Sequence, residues 1–520
     1  MSGVLSPTAP THAEPLTVSE SSDGVPPELL AFLTEGGGRS LSIRGRPGTG
    51  KTSLALEMLA RVPGRRFFLS TRVDQMRLFK QFPFLTSRYE RIEVVDLASM
   101  RAERLLMKSD VSRVTSLVVG NPGPSSKVDL GRFLTLPPPV QELYSRTPEG
   151  PGRATVVIDS WEALLADYAS RLTSRSEEAL SEPELAEALI SMFVGQGTNV
   201  ILVRETADPN AADYLVDGVL EARREVFQDH VFRALSPLKL RGVGVGVADF
   251  PFTLHGGRFQ FLGPTPSWRA VPHSVHRSPE PVTGGPVEFT WGHRQMDERL
   301  APLYPGALVF LETVANASGD TMGRIDTHIG STNGHRGLMV TVVLPQGLTP
   351  SVIRPEVEPD GKFPQKFRII WSVPSRGPSP RTQFQVPAES LVPYALDGMP
   401  PKEPEELAPI VAGEGAGPAV VIASTSMLAA MAGRDEKKFE PFLSALIQTV
   451  RARGGLLVLY GYDYNAGSRF LTGEASHHLR IFERDGLPLL EEVHHGKPLY
   501  AIRAPRDPRS FPIFELVPVL

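Results

Sequence analysis

The sequence predicts an α/β protein: a mostly parallel sheet covered by helices on both faces, followed by a second, decayed copy of the same arrangement. Three observations lead there. Apolar strand-like runs alternate with amphipathic helical stretches from residue 36 to about residue 263. A glycine-rich loop stands between the first such run and the first such helix, in SLSIRGRPGTGKTSLALEML. The second half of the 520-residue chain then repeats the outline of the first.

The strand candidates are residues 40–44, 66–69, 92–95, 154–158 and 199–203, short apolar runs of the kind buried on both faces. Between them, 52–62 places Leu54, Met58 and Leu59 on one helical face, and 183–193 does the same with Leu185, Leu189 and Ile190. Residues 264–305, rich in Pro, Ser, His and Gly, read as a linker. That sets one domain at 28–263 and a second at 306–520.

The duplication shows in aligned segments. GRATVVIDSWEALLADY near residue 160 matches GPAVVIASTSMLAAM near residue 424, MFVGQGTNVILVRE matches TVRARGGLLVLYGY, and PLKLRG matches PLYAIR. In the second copy Ala423 stands for Asp159, and TVANASGDT stands for the glycine loop, so that copy is expected to have lost a nucleotide site. Residues 350–404, heavy in Pro, Arg and Lys, read as an insertion there.

Composition narrows the function. A chain this long is expected to hold two or more domains. No run approaches the roughly 18 apolar residues of a membrane span, and residues 1–27 lack a signal-peptide pattern and read as a mobile tail, so a soluble cytoplasmic protein is expected. The absence of cysteine excludes disulfides, thiolate zinc sites, Fe–S clusters and a cysteine nucleophile. A net charge of -4 argues against a DNA-coating role.

Gly45, Arg46, Pro47, Gly48, Thr49, Gly50, Lys51 and Thr52 carry the full Walker A spacing in the strand-loop-helix context that the motif requires. Triphosphate binding needs backbone N–H groups converging on anionic oxygens, and the glycines permit so tight a loop. The helix starting near Gly50 adds the positive end of its dipole. Lys51 supplies a charge for the β- and γ-phosphates, and the Thr52 hydroxyl a ligand for Mg²⁺. ATP, or a close relative, with Mg²⁺ is the expected ligand. Asp159, ending the strand in TVVIDS, has two readings: an acidic residue holding the Mg²⁺, or a helix N-cap.

GTGKTSLALEML, VVIDSWEALL and the late PLKLRG followed by PFTLHGGRFQF resemble the RecA-like P-loop ATPases of the KaiC and RadA group, over residues 28 to 263. The opening GGGRSLSIRGRPGTGKT, together with one decayed copy, also resembles the archaeal gas-vesicle regulator GvpD and related proteins. The first resemblance implies tandem domains, a ring or other homo-oligomer with nucleotide between subunits, and Lys239 and Arg241 reaching a neighbour's phosphates. It also implies a water-activating Glu-Glu pair after the second strand. Here RRFFLSTRVDQ offers Ser70 and Thr71 instead, leaving Glu162 and Asp74 as substitutes.

Slow hydrolysis by a regulatory ATPase acting through protein partners is therefore expected. The alternatives are a recombination or repair ATPase and a nucleotide-bound scaffold. Against the DNA reading, Glu162, Asp167, Glu177 and Glu178 offset Arg171 and Arg175 after Asp159.

One more constellation stands apart. HHLRIFERDGLPLLEEVHH carries an Asp485-Gly486 hairpin turn, and counting outward sets His477 opposite His494. The pair reads as zinc-binding or pH-sensitive, or as two solvent-facing side chains; Pro488 implies an edge strand, and no third ligand is evident.

Overall fold

The structure, a computed structural model, describes residues 24–85 except 36, 92–97, 136–173 except 149, 151 and 153, 180–263, 289–345 except 315, 316 and 318, 366–373, 390–396, 403–496 except 414 and 416, 498–503 and 514–520. Most of the expected tail, residues 264–288 of the linker, much of 350–404, and Arg175, Glu177 and Glu178 lie outside the described residues. The chain divides into two compact units. One comprises the described residues up to Arg224 with Ala234–Phe261, the other Glu225–Arg233 with Leu262–Leu520.

Among the described residues the first sheet has nine strands: β1 (Ser40–Arg44), β2 (Arg65–Ser70), β3 (Ile92–Asp96), β4 (Ala154–Asp159), β5 (Asn199–Val203), β6 (Gly218–Phe227), β7 (His230–Leu240), β8 (Phe250–Thr253) and β9 (Gln260–Phe261). Their order is β3-β2-β4-β5-β1-β6-β7-β8-β9, and the pairings from β3 through to β6 are parallel. Its helices are α1 (Pro27–Thr34), α2 (Lys51–Arg61), α3 (Gln75–Gln81), α4 (Pro138–Arg146), α5 (Trp161–Thr173), α6 (Glu182–Gly195) and α7 (Ala212–Leu215). α6 opens at Ser181, whose amide and hydroxyl donate to Glu184 at 2.8 and 2.7 Å.

Side chains alternate across a strand, so a sheet covered on both sides is apolar on both faces at most positions. Phe68, Val157, Ile201 and Val203 pack with Leu54 and Met58 of α2 in one core. Phe67, Leu69, Val156, Ile158, Val200 and Leu202 pack with Trp161, Leu164, Leu189 and Phe193 in the other. This is the RecA-like α/β arrangement that the sequence predicts, with β5 between the two strands that carry the loop and Asp159.

Among the described residues the second sheet has ten strands: β10 (Leu308–Thr313), β11 (Met339–Val343), β12 (Phe367–Val373), β13 (Leu391–Ala395), β14 (Ala419–Ser424), β15 (Leu456–Tyr462), β16 (His477–Arg484), β17 (Leu487–Glu492), β18 (Tyr500–Arg503) and β19 (Glu515–Pro518). They run β13-β12-β11-β14-β15-β10-β16-β17-β18-β19. With β13 set aside, this is the order of the first sheet strand for strand, so the duplication extends to topology. Two cores again flank the sheet, one around Val309, Leu311, Val420, Ile422 and Val458, the other around Phe310, Val421, Leu457 and Leu459. Within 350–404, β12 takes the position of β3, and β13 extends the sheet by one parallel strand.

Two sequence readings need correcting. PLKLRG lies on β7, whose topological counterpart is β17; PLYAIR lies on β18, one strand later. β17 is also no edge strand, since β16 and β18 flank it. Its recorded rungs to β18 fall at Leu489 and Leu490, just past Pro488, which has no N–H to donate.

The second core carries buried imidazoles that the sequence did not single out. His293 lies 2.8 Å from the Phe514 carbonyl through Nε2, and His328 lies 3.0 Å from the Gly292 carbonyl through Nδ1. Burial lowers His293 to about 4 and pushes His328 well below its ordinary value, because neither imidazolium would be solvated. As pH falls from about 6.5 towards 4, the unfolded chain binds protons that the folded one refuses, so stability is lost with acidification. For His293 alone the expected loss between about pH 7.5 and pH 5 is about 2 kcal/mol, measurable by denaturant unfolding. His293→Gln should flatten that slope; an unchanged pH dependence would contradict the assignment.

Candidate functional site

β1 ends in a buried arginine that organises the start of the loop. The Arg44 guanidinium meets Asp213 at 2.6 Å and Glu221 at 2.9 Å, and Arg204 reaches the other oxygen of Asp213 at 3.1 Å. The ends of β1 and β5, the short helix α7 and the strand β6 are thereby tied together. Gly45 follows, its N–H donating to the Thr206 carbonyl at 3.0 Å. A Cβ at Gly45 would lie 2.3 Å from the Ala222 carbonyl oxygen, and Gly50 enters α2 with φ 97°, so both positions require glycine. Arg46, Pro47 and Gly48 form an exposed rim. The Thr49 hydroxyl closes the turn on the Arg46 carbonyl at 2.9 Å.

Lys51 is buried, and its Nζ donates to the Gly45 and Arg46 carbonyls at 2.7 and 2.8 Å. Burial lowers its pKa, while Glu205, Asp159 and Glu162 oppose that shift in decreasing order. Thr52 Oγ1 donates to Asp159 Oδ2 at 2.7 Å. The hydroxyl opening α2 and the carboxylate ending β4 thus meet, although 107 residues separate them. Burial raises the Asp159 pKa, with the Thr52 hydroxyl and Lys51 working against it. The Asp159 carboxylate is therefore turned across the sheet towards α2. A hydroxyl and a carboxylate in contact beside an anion-binding loop are oxygen donors suited to Mg²⁺, and the loop's N–H groups and Lys51 suit a triphosphate.

The positions after β2 are committed elsewhere. The Ser70 hydroxyl donates to the Val73 carbonyl. Thr71 Oγ1 donates to the Asp159 carbonyl at 2.9 Å and accepts from the Ser160 amide at 2.8 Å. Asp74 caps α3 by accepting from the Arg77 amide at 2.8 Å. Glu162, in the first turn of α5, accepts from the Glu205 amide through Oε2 at 3.0 Å, while its buried Oε1 makes no hydrogen bond and lies 3.7 Å from Arg204 Nε.

Sequence reading missed Arg72 and Glu205, which form an ion pair at 2.5 Å and both act on Lys51 and Asp159. Glu205 stands two residues past the end of β5, whereas Asp159 closes β4 itself.

Lys239 and Arg241 are not part of this constellation. The Lys239 ammonium donates to the Asp213, Tyr214 and Val216 carbonyls at 3.2, 3.2 and 2.5 Å, and Arg241 pairs with Asp217 at 3.7 Å. Asp217 in turn accepts from the Ser40 amide at the start of β1, so both cations sit at the end of the sheet away from their own chain's loop. Among the described residues no helix is long and apolar enough to cross a membrane.

Comparison with known proteins agrees with this geometry. Residues 29–240 match the family model of the GvpD gas vesicle protein, P-loop domain. Protein GvpD1 of Halobacterium salinarum is 29% identical over 318 residues, covering 60% of this chain and 55% of that protein. Protein GvpD2 of the same organism is 28% identical over 326 residues, covering 61% and 60% respectively. The chain thus matches less than two thirds of the length of either relative.

The charge network beneath the loop makes a direct prediction. Asp213→Ala leaves Arg204 with only its 3.7 Å pairing to Glu162 and strips one side of Arg44 in a buried setting, which should cost about 3 kcal/mol in urea unfolding. A change below about 0.5 kcal/mol would show that the network does not hold the loop's base.

Proposed function

With an amino-terminal P-loop domain related to that of GvpD, we propose that this chain is an ATP-binding regulatory protein with one working and one degenerate nucleotide domain. It binds ATP and Mg²⁺ on residues 45–52, hydrolyses the nucleotide slowly to ADP and phosphate, and acts through protein partners in the cytoplasm. The Thr52–Asp159 hydrogen bond carries this reading, because it joins the two oxygen donors that such a site needs. Thr52 and Asp159 would hold Mg²⁺, which offsets phosphate charge when bound. The loop amides and Lys51 would bind the triphosphate.

Glu162 is the proposed base: its Oε1, without a hydrogen bond and 3.7 Å from Arg204 Nε, can accept the proton of an attacking water, while its other oxygen is fixed by the Glu205 amide. Arg72 and Glu205 flank the same charges and orient them. Turnover is slow in this reading because Ser70 and Thr71 replace the carboxylates of KaiC-like enzymes and are held by backbone groups. Lys239 and Arg241, directed away from their own loop, fit a role towards a neighbouring copy in a ring or dimer. The likeness to a gas-vesicle protein makes proteins of that system the first partners to test, ahead of DNA.

The test is steady-state ATP hydrolysis beside direct nucleotide binding. Lys51→Ala should weaken ATP binding about 10- to 100-fold through loss of charge-assisted contacts. Asp159→Ala should remove the dependence of affinity on Mg²⁺. Glu162→Gln should keep binding while lowering turnover about 10²-fold or more. Unchanged turnover in Glu162→Gln would reject its role as base. Tight binding with no turnover in the native chain would favour a nucleotide-stabilised scaffold.

A further inference from the structure

The second unit brings together three side chains that nothing in the nucleotide site uses. His477 opens β16, Glu492 ends β17, and His495 stands in the short turn Val493–His495 that follows. The hairpin geometry differs from the simple count along the two strands. The helical turn after Glu492 departs from two-residue alternation, so His494 swings against His478, with ring centroids 5.5 Å apart, and His495 comes to His477, 5.6 Å away.

Glu492 lies between the two rings. Its Oε1 is 3.0 Å from His495 Nδ1 and 3.7 Å from His477 Nδ1, and the donor atoms of all three residues lie within 4.8 Å of one another. Two donors bound tetrahedrally to one zinc ion stand about 3.3 Å apart, so the first two distances bracket the required spacing.

Burial adds an independent observation. His477 is 1% exposed, and neither of its ring nitrogens has a hydrogen-bond partner. An imidazole sealed in with both polar atoms unsatisfied calls for a partner, and its Nδ1 faces the carboxylate. Glu492 is 1% exposed as well, and the Ala301 amide lies 3.3 Å from each of its oxygens, orienting the carboxylate as outer partners orient metal ligands. Trp291 and Tyr304 pack against His477 and shield that side of the cluster, while His495 is partly open to solvent.

We propose that His477, Glu492 and His495 form a binding site for a divalent transition metal of the zinc class. Two imidazoles and one carboxylate are a donor set that selects zinc over magnesium or calcium, and three protein ligands leave a fourth position on the solvent side. The site lies in the unit without a Walker A loop, and binding there pins the turn after β17 to the start of β16.

The experiment uses the full untagged chain, stripped with chelator and free of nucleotide. Zn²⁺ is titrated against a competing chromophoric chelator, and Co²⁺ is added separately as a spectroscopic probe. One Zn²⁺ per chain is expected, with Co²⁺ giving the visible bands of a four-coordinate site. His495→Ala, at a partly exposed position, should fold normally and weaken Zn²⁺ binding at least about 100-fold, with loss of those bands. Glu492→Gln should weaken it similarly, whereas Lys51→Ala should leave it unchanged. No stoichiometric Zn²⁺ binding by the native chain would overturn the proposal, as would equal binding by the native chain and His495→Ala.

Discussion

The central parallel strands of both sheets are buried on both faces, and this constraint determines where polar chemistry can occur. A strand such as β4 or β5 has no position along its length that faces water, so its ionisable neighbours gather at its ends. In parallel sheets the carboxyl ends of the strands form the natural ligand site. Gly45, Ser70, Asp159 and Glu205 all lie at or just past such ends, on four different strands. The packing of the sheet, more than any single contact, assembles the loop, Thr52 and Asp159 into one site.

The two units show what survives duplication and what does not. The alternating apolar positions persist, because each is needed to bury the helices on either side. The loop and the strand-end acid do not: Ala423 and Ser424 close β14, and the segment after β10 has no Gly-Lys-Thr. The second unit carries a different set of buried polar groups. His293, His328 and Asp326 sit in its interior, and burial displaces each from its ordinary ionisation towards the neutral form. The His477, Glu492 and His495 cluster belongs to the same unit.

Legibility followed the strength of the local constraint. β1 and β5 were readable to the residue, since each is a short, fully buried run with polar neighbours on both sides. The loop was readable because Gly45 and Gly50 answer to backbone geometry that other residues do not adopt there. Pairing PLKLRG with PLYAIR failed because a few shared residues cannot count strands; hydrogen bonding does that. The histidine register failed for another reason: one helical turn after Glu492 breaks the period of two on which counting depends. Glu205 was missed because its importance lies in reaching Lys51 and Asp159 across the sheet, a relation between distant segments that no local pattern displays.

The account rests on one nucleotide site per chain, in the first unit, with the second unit retaining the architecture but not the chemistry. Counting bound nucleotide tests this most directly, by titrating the full chain with a slowly hydrolysed ATP analogue and Mg²⁺ in a calorimeter. One analogue per chain is the predicted result. Two per chain would show that the second copy still binds nucleotide, and none would remove the basis for reading residues 45–52 as a triphosphate site.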